Sequence, residues 1–210
     1  MKIYIDFDGT IYNSQKLVHK FITILKKYNI DENFINEHII KENNNSIYNQ
    51  NKNLDILTNE IIKQNNLDKS ILKEINDIYS KDLIFEDSIS FLEKYYQKYD
   101  LILLTLGEQS YQLKKINSCN INKYFKDIII TNQNKSKLNI DYHNGIFIDN
   151  NPLELEKFQK ANANNLIRIK RESDKYSLID LHLDNTIEFK DFFELIKSNY
   201  IDKISEDYYE

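Results

Sequence analysis

Five short runs of consecutive apolar residues stand out from an otherwise polar chain: KIYIDF near the start, LILLTL at 101–106, DIIIT at 127–131, GIFID at 145–149 and LIRIK at 166–170. They are continuous rather than alternating, which is how strands buried on both faces read. Between them, apolar residues recur at steps of three and four. Val18, Phe21, Ile22, Leu25 and Tyr28 form one such series, and Ile89, Leu92, Tyr95 and Tyr96 form another behind a predicted cap at Asp87. Pro152 stands where a first helical turn begins, LELEKFQKA continues in register, and a last helix is predicted through DFFELIKSNYIDKI. The pattern predicts an α/β fold, a doubly wound and mainly parallel five-stranded sheet covered by helices.

Connection lengths divide the chain. A parallel crossover takes a dozen or more residues, yet about 90 separate the first run from LILLTL. Residues 15–81 are therefore predicted to be an inserted α-helical cap, with turns near 29–31, 43–45 and 65–68. Residues 1–14 and 82–210 form the predicted core domain. The later gaps hold one crossover each, so the insertion is single.

Composition narrows the function. With 29% charged residues, 41% apolar ones and a net charge of -5, the chain reads as globular and without the basic footprint that nucleic acid requires. Asp6 and Asp8 interrupt the first apolar run too early for a signal peptide, and no run of about 18 apolar residues is present to span a membrane. A single cysteine, Cys119, excludes an internal disulfide, and no cysteine and histidine cluster is present for zinc, which fits a reducing cytoplasm. His19, His38, His143 and His182 are scattered, and asparagine-rich stretches such as KENNNSIYNQNKN read as codon bias.

Glycine and proline are scarce, three and one, so their positions mark special backbone geometry. Gly9, Gly107 and Pro152 flank the carboxyl ends of predicted strands, where open parallel sheets bind ligands. Gly145 precedes the fourth strand.

The acids supply the chemistry. Asp6 and Asp8 alternate at the end of a hydrophobic strand with no nearby lysine or arginine, so keeping both ionised calls for a cation. Asp149 ends another strand and reaches the same sheet edge, and a few carboxylates with water suit magnesium. Thr105 closes LILLTL, followed by Leu106, Gly107 and a helix opening at Glu108, so a hydroxyl and free amides are predicted to cradle an anion. Lys135 or Lys137 offers the positive charge that phosphate needs. Tyr12 and Asn13 are placed at the mouth of the site. No GxGxxG fingerprint is present for a dinucleotide.

DFDGT at 6–10, the strand ending in Thr105, the lysine at 135 or 137 and FIDNNP at 147–152 resemble, in order and spacing, the four motifs of the haloacid dehalogenase superfamily. The resemblance covers the whole chain and includes the helical cap. NKSK followed by GIFIDNNPLELEKF is similar to the pyrimidine 5'(3')-deoxyribonucleotidase branch. It implies a magnesium-dependent phosphatase acting on a small phosphate ester, with Asp6 as nucleophile and Asp8 as general acid and base. The implied metal ligands are Asp6, Asp149 and the carbonyl of Asp8. Thr105, the Leu106 and Gly107 amides and Lys135 are the implied phosphate donors, Lys135 fitting the spacing better than Lys137. Many members carry a second acid where this chain has Asn150, whose side-chain oxygen can hold a metal-bound water, and the next carboxylate is Glu154. Dehalogenases generally lack the second aspartate, so Asp8 points to phosphate. A phosphotransferase or mutase uses the same residues. A receiver domain is disfavoured because DIIIT carries its acid at the wrong end, and a non-catalytic binding protein because both aspartates are intact.

Overall fold

The computed structural model describes residues 1–41, 53–172, 174–180, 183 and 185–209. The expected turn at 43–45, His182 and the side chain of His38 lie outside the described residues. In chain order the elements are β1 (Lys2–Ile5), α1 (Ser14–Lys27), α2 (Glu32–Ile35) running into a π turn (Asn36–Lys41), α3 (Leu54–Asn65), α4 (Ser70–Asp77) and α5 (Glu86–Tyr95). Then come β2 (Asp100–Leu106), α6 (Gln109–Cys119), β3 (Asp127–Thr131), β4 (Ile146–Asp149), α7 (Pro152–Lys160) and β5 (Asn165–Ile169). The chain closes with β6 (Thr186–Phe189), α8 (Phe192–Ser198) and α9 (Tyr200–Tyr209).

The sheet has six strands rather than five, in the order β3-β2-β1-β4-β5-β6, and all five pairings are parallel. The additional strand, TIEF, lies at an edge with Ile187 and Glu188 exposed, so it lacks the continuous apolar run that marks a strand buried on both faces. Successive residues of the inner strands face opposite sides. Ile3, Ile5, Leu101, Leu103, Ile146, Ile148, Ile167 and Ile169 join the core under the insertion and α5, whereas Tyr4, Ile102, Leu104, Phe147 and Leu166 pack with Leu155 and Phe158 of α7. On that second face Phe147 stacks on Tyr4 at 4.8 Å and meets Phe158 at 4.7 Å, each pair adding about 0.5–1.5 kcal/mol beyond burial. Gly145 serves this packing, since a Cβ there would come within 2.9 Å of the Tyr4 ring.

Two sequence expectations for helices change. The residue before α5 is Phe85, and Asp87 sits buried inside the first turn, where it accepts from the Phe192 amide (2.7 Å) and pairs with Arg171 (3.0 Å). The last helix is broken into α8 and α9 at Asn199, whose φ is 53°. Among the described residues Asn29, Asn66, Asn120, Asn162 and Asn199 are the positive-φ residues other than glycine, each at a helix end. In a chain with three glycines, asparagine supplies the left-handed residue that lets a helix stop, because its short polar side chain tolerates that conformation best after glycine.

Strand order places β1 at the centre, with the chain winding first toward β3 and then back across to β4. That reversal makes a crevice beyond the carboxyl ends of β1 and β4, the position where doubly wound sheets bind ligands. The helices from α1 to α4 leave and return beside it: the Asn13 amide bonds Leu83 (2.7 Å), the Phe85 amide bonds Ile11 (3.1 Å), and Tyr12 bridges Ile84.

Candidate active site

Asp6 and Asp149 follow directly from the last paired residues of the neighbouring strands β1 and β4, so the sheet itself brings their carboxylates together. Both are buried, at 8% and 1% exposure, and both bond one ammonium group: Lys135 Nζ lies 2.5 Å from Asp6 Oδ1 and 2.9 Å from Asp149 Oδ2. Lys135 belongs to a short 3-10 turn after β3 and is itself buried, while Lys137 is exposed. Of the two lysines the sequence offered, the structure brings Lys135 to the acids. Burial and the charge of Asp149 push Asp6 up to about 7 despite Lys135, and burial likewise raises Asp149. Burial works against the charged form of Lys135, but its two carboxylates outweigh this and raise it.

The turn after β1 explains DFDGT. Gly9 adopts a φ of +86°, and a Cβ there would collide with the Asn150 amide. The Thr10 hydroxyl lies 3.1 Å from Asp6 Oδ2, 3.1 Å from Asn150 Oδ1 and 3.0 Å from the Asn150 amide nitrogen that donates to it. Asn150 in turn donates from its side chain to Asp174, in the loop after β5. Asn151 caps α7, its side chain accepting from Leu153, and its own amide donates to Asp149 Oδ1 (2.8 Å). Arg171 donates to the Thr10 carbonyl (2.8 Å) while stacking on Phe85, and the fully buried Arg168 donates to the carbonyls of Tyr176 (2.6 Å) and Ile179 (2.8 Å).

Asp8 belongs to a second cluster. Lys115 of α6 reaches both its oxygens, at 2.6 and 2.7 Å, Gln112 donates to Oδ2 (2.9 Å) and Ser14 to Oδ1 (2.7 Å). Burial favours the neutral acid, but these donors outweigh it and hold Asp8 below the usual carboxylate range. The acids are therefore not short of nearby cations, as the local sequence suggested; two buried lysines arrive from distant elements. Lys115 and Gln112 were missed in the sequence, although polar residues one helical turn apart beside Tyr111, Ile116 and Cys119 were a readable signal.

Thr105, a predicted phosphate donor, is buried at the end of β2. The predicted amide cradle is narrower than expected. Glu108 caps α6 with its own carboxylate, taking the Ser110 (2.9 Å) and Tyr111 (2.8 Å) amides, and the Gly107 amide donates to Thr131 (2.8 Å). The Leu106 carbonyl accepts from Gln112 at 2.8 Å. Tyr12 is not at a mouth: it is fully buried against Phe7, and Asn13 caps α1 by accepting from Lys16 (2.8 Å). His19 and His143 are exposed.

The donor set bears on a cation. Two buried carboxylates converge on one point, and Glu154, buried nearby, keeps Oε2 without a hydrogen-bond partner among the described residues. Magnesium is commonly bound through one or two carboxylates, with water and phosphate oxygens completing its shell, so Asp6 and Asp149 fit it. Among the described residues no group of three histidine, cysteine or acidic side chains forms a closed metal site, and Asn150 is engaged by Thr10 and Asp174.

No family model matches the sequence, and no curated protein does. Solved structures do match in shape. A haloacid dehalogenase-like hydrolase from Burkholderia xenovorans LB400 superposes with a TM-score of 0.70 at 13% identity, covering 93% of this chain and 94% of that one. YfnB of Bacillus subtilis, described as a HAD-hydrolase bound to magnesium, gives 0.63 at 12% identity over 95% and 98%. A HAD phosphatase from Thermococcus onnurineus gives 0.60 at 18% identity over 95% and 98%. The chain thus has the fold of the haloacid dehalogenase-like hydrolases. Among the described residues no helix is long and apolar enough to cross a membrane.

Proposed function

We propose that this chain is a magnesium-dependent phosphoric monoester hydrolase of the haloacid dehalogenase superfamily, acting on a small phosphorylated metabolite in the cytoplasm. The observation that carries the reading is the pair of buried carboxylates, Asp6 and Asp149, at the ends of adjacent strands and gripping one buried lysine, with a second, separately held aspartate two residues beyond the first. Dehalogenases of the superfamily generally lack that second aspartate.

Asp6 is the nucleophile: its carboxylate oxygen attacks phosphorus as the bond to the ester oxygen breaks, giving an aspartyl-phosphate. Thr10 orients the carboxylate by holding Oδ2. Lys135 and the Thr105 hydroxyl bind the phosphate oxygens, with the Leu106 and Gly107 loop shaping their side of the site. Asp8 protonates the departing alcohol and then takes a proton from the hydrolytic water. Magnesium, which Asp6, Asp149 and the Asp8 carbonyl would hold, would neutralise repulsion between Asp6 and the phosphate. Residues 15–81 act as the cap over the crevice. Their contacts with the core include Lys114 of α6, bonded to Asp55 (2.7 Å) on α3 and to Asn76 (2.8 Å) on α4, and Tyr79, edge-on to Tyr111.

The test is release of inorganic phosphate from an aryl phosphate and a metabolite panel that includes nucleoside monophosphates, with magnesium or EDTA. Wild type should be active only with the metal, and Asp6→Asn inactive. Equal rates for the two proteins would refute the nucleophile, and transfer of phosphoryl to a second substrate without free phosphate would replace hydrolysis by transfer.

A further inference from the structure

Lys115 has no role in the scheme above, yet it is among the most buried charged residues of the chain, its side chain 3% exposed. Desolvating an ammonium costs several kcal/mol, and an apolar residue on this face of α6 would fill the space without that cost. The rings of Tyr111, Phe7 and Tyr12 lie 5.0, 5.5 and 5.5 Å away, and their faces attract the ammonium without giving it a hydrogen bond. Its hydrogen-bond partner among the described residues is Asp8, which it grips through both oxygens at 2.6 and 2.7 Å.

Gln112, one turn earlier on α6, donates to Asp8 and to the Leu106 carbonyl, so the helix ties Asp8 to the loop that would receive the phosphate. Ser14, the first residue of α1, closes the remaining side at 2.7 Å. A carboxylate held by three donor groups through its two oxygens cannot rotate freely. Such fixing, supplied from a rigid helix, is what general-base catalysis requires of the base.

We propose that Lys115 is a positioning residue for the hydrolytic half-reaction, holding Asp8 where it takes a proton from water. The assignment rests on the phosphatase reading. In that step a water oxygen bonds phosphorus as the bond from phosphorus to the Asp6 carboxylate breaks. The electron pair returns to Asp6, one water proton passes to Asp8, and inorganic phosphate leaves. Formation of the aspartyl-phosphate from p-nitrophenyl phosphate needs no proton donor, because nitrophenolate is a good leaving group. Loss of Lys115 should therefore slow the second half-reaction and spare the first.

The experiment is rapid-quench turnover of p-nitrophenyl phosphate with magnesium by wild type, Lys115→Met, Lys115→Arg and Ser14→Ala. For Lys115→Met the expected result is a burst of about one nitrophenol per folded enzyme, followed by a steady rate at least about 10-fold below wild type, the scale expected for an impaired general base. Lys115→Arg, which keeps the cation, should recover part of the steady rate. Ser14→Ala, which leaves the buried charges paired, should show the same pattern to a smaller degree and covers the case in which Lys115→Met does not fold. A purely structural role predicts something else: a smaller burst, or both phases slowed alike, and either result overturns the proposal, as does a wild-type steady rate in Lys115→Met. Wild type that is inert, or equalled by Asp6→Asn, overturns the phosphatase reading and this assignment with it.

Discussion

Lys135→Met removes the ammonium that Asp6 and Asp149 share and leaves a side chain of similar length. The carboxylates, 8% and 1% exposed, have no other cation within bonding distance among the described residues, so the variant keeps two buried charges uncompensated. Breaking a buried pair from one side costs about 3–5 kcal/mol. At about 2–4 °C per kcal/mol for a chain of this size, the melting temperature should fall by about 6–20 °C. The assay is urea unfolding in EDTA, repeated from pH 8 to pH 5. Without the ammonium, both carboxylates hold protons more tightly folded than unfolded. The unfolded state then binds fewer protons, and the variant should gain stability as the pH falls. Magnesium should restore part of the loss at pH 8, by about 2.7 kcal/mol at a hundred times its dissociation constant. A variant in EDTA within about 0.5 kcal/mol of wild type, the range of an ordinary surface change, would refute the reasoning. A full loss that magnesium does not relieve would keep the ion triad and reject the cation position.

Two further outcomes follow from single contacts. Gly9→Ala forces a β-carbon onto the Asn150 amide at a φ of +86° and should cost about 1–3 kcal/mol in urea unfolding; an unchanged midpoint would show that the turn relaxes. Asp202, which ties α9 to Lys98 (2.5 Å) and Tyr99 (2.9 Å), lies below the usual carboxylate range because these partners outweigh its burial. Its stabilisation is present above its unfolded value and lost as the pH falls through the depressed folded one. Asp202→Asn should therefore be about 1 kcal/mol less stable at pH 7 and converge with wild type in acid; a gap independent of pH would rule out the ion pair as the cause.

What could be read from the sequence follows from which forces are local. The four inner strands were legible because burial on both faces demands unbroken apolar runs, and β3, though it lies at an edge, because DIIIT keeps such a run; β6, at the other edge, was not, because TIEF carries an exposed isoleucine and glutamate. That Asp6 and Asp149 come together was legible because parallel strands carry their ends to one edge. That several helices lie between β1 and β2 was legible from chain length alone. Asparagine looked like codon bias, yet at five helix ends it does what glycine does elsewhere.

By itself, then, the sequence determined the layers and the edge where acids gather, since period, run length and spacing depend on neighbours along the chain. Only the tertiary structure decided which cation meets which acid. Lys135 lies 129 residues from Asp6 and Lys115 lies 107 from Asp8, and no local pattern encodes a partner at that distance. The same holds for Arg171 on the Thr10 carbonyl, 161 residues away. Buried charge is costly enough that each such pair had to be closed by packing, and packing is what the chain acquires only when folded.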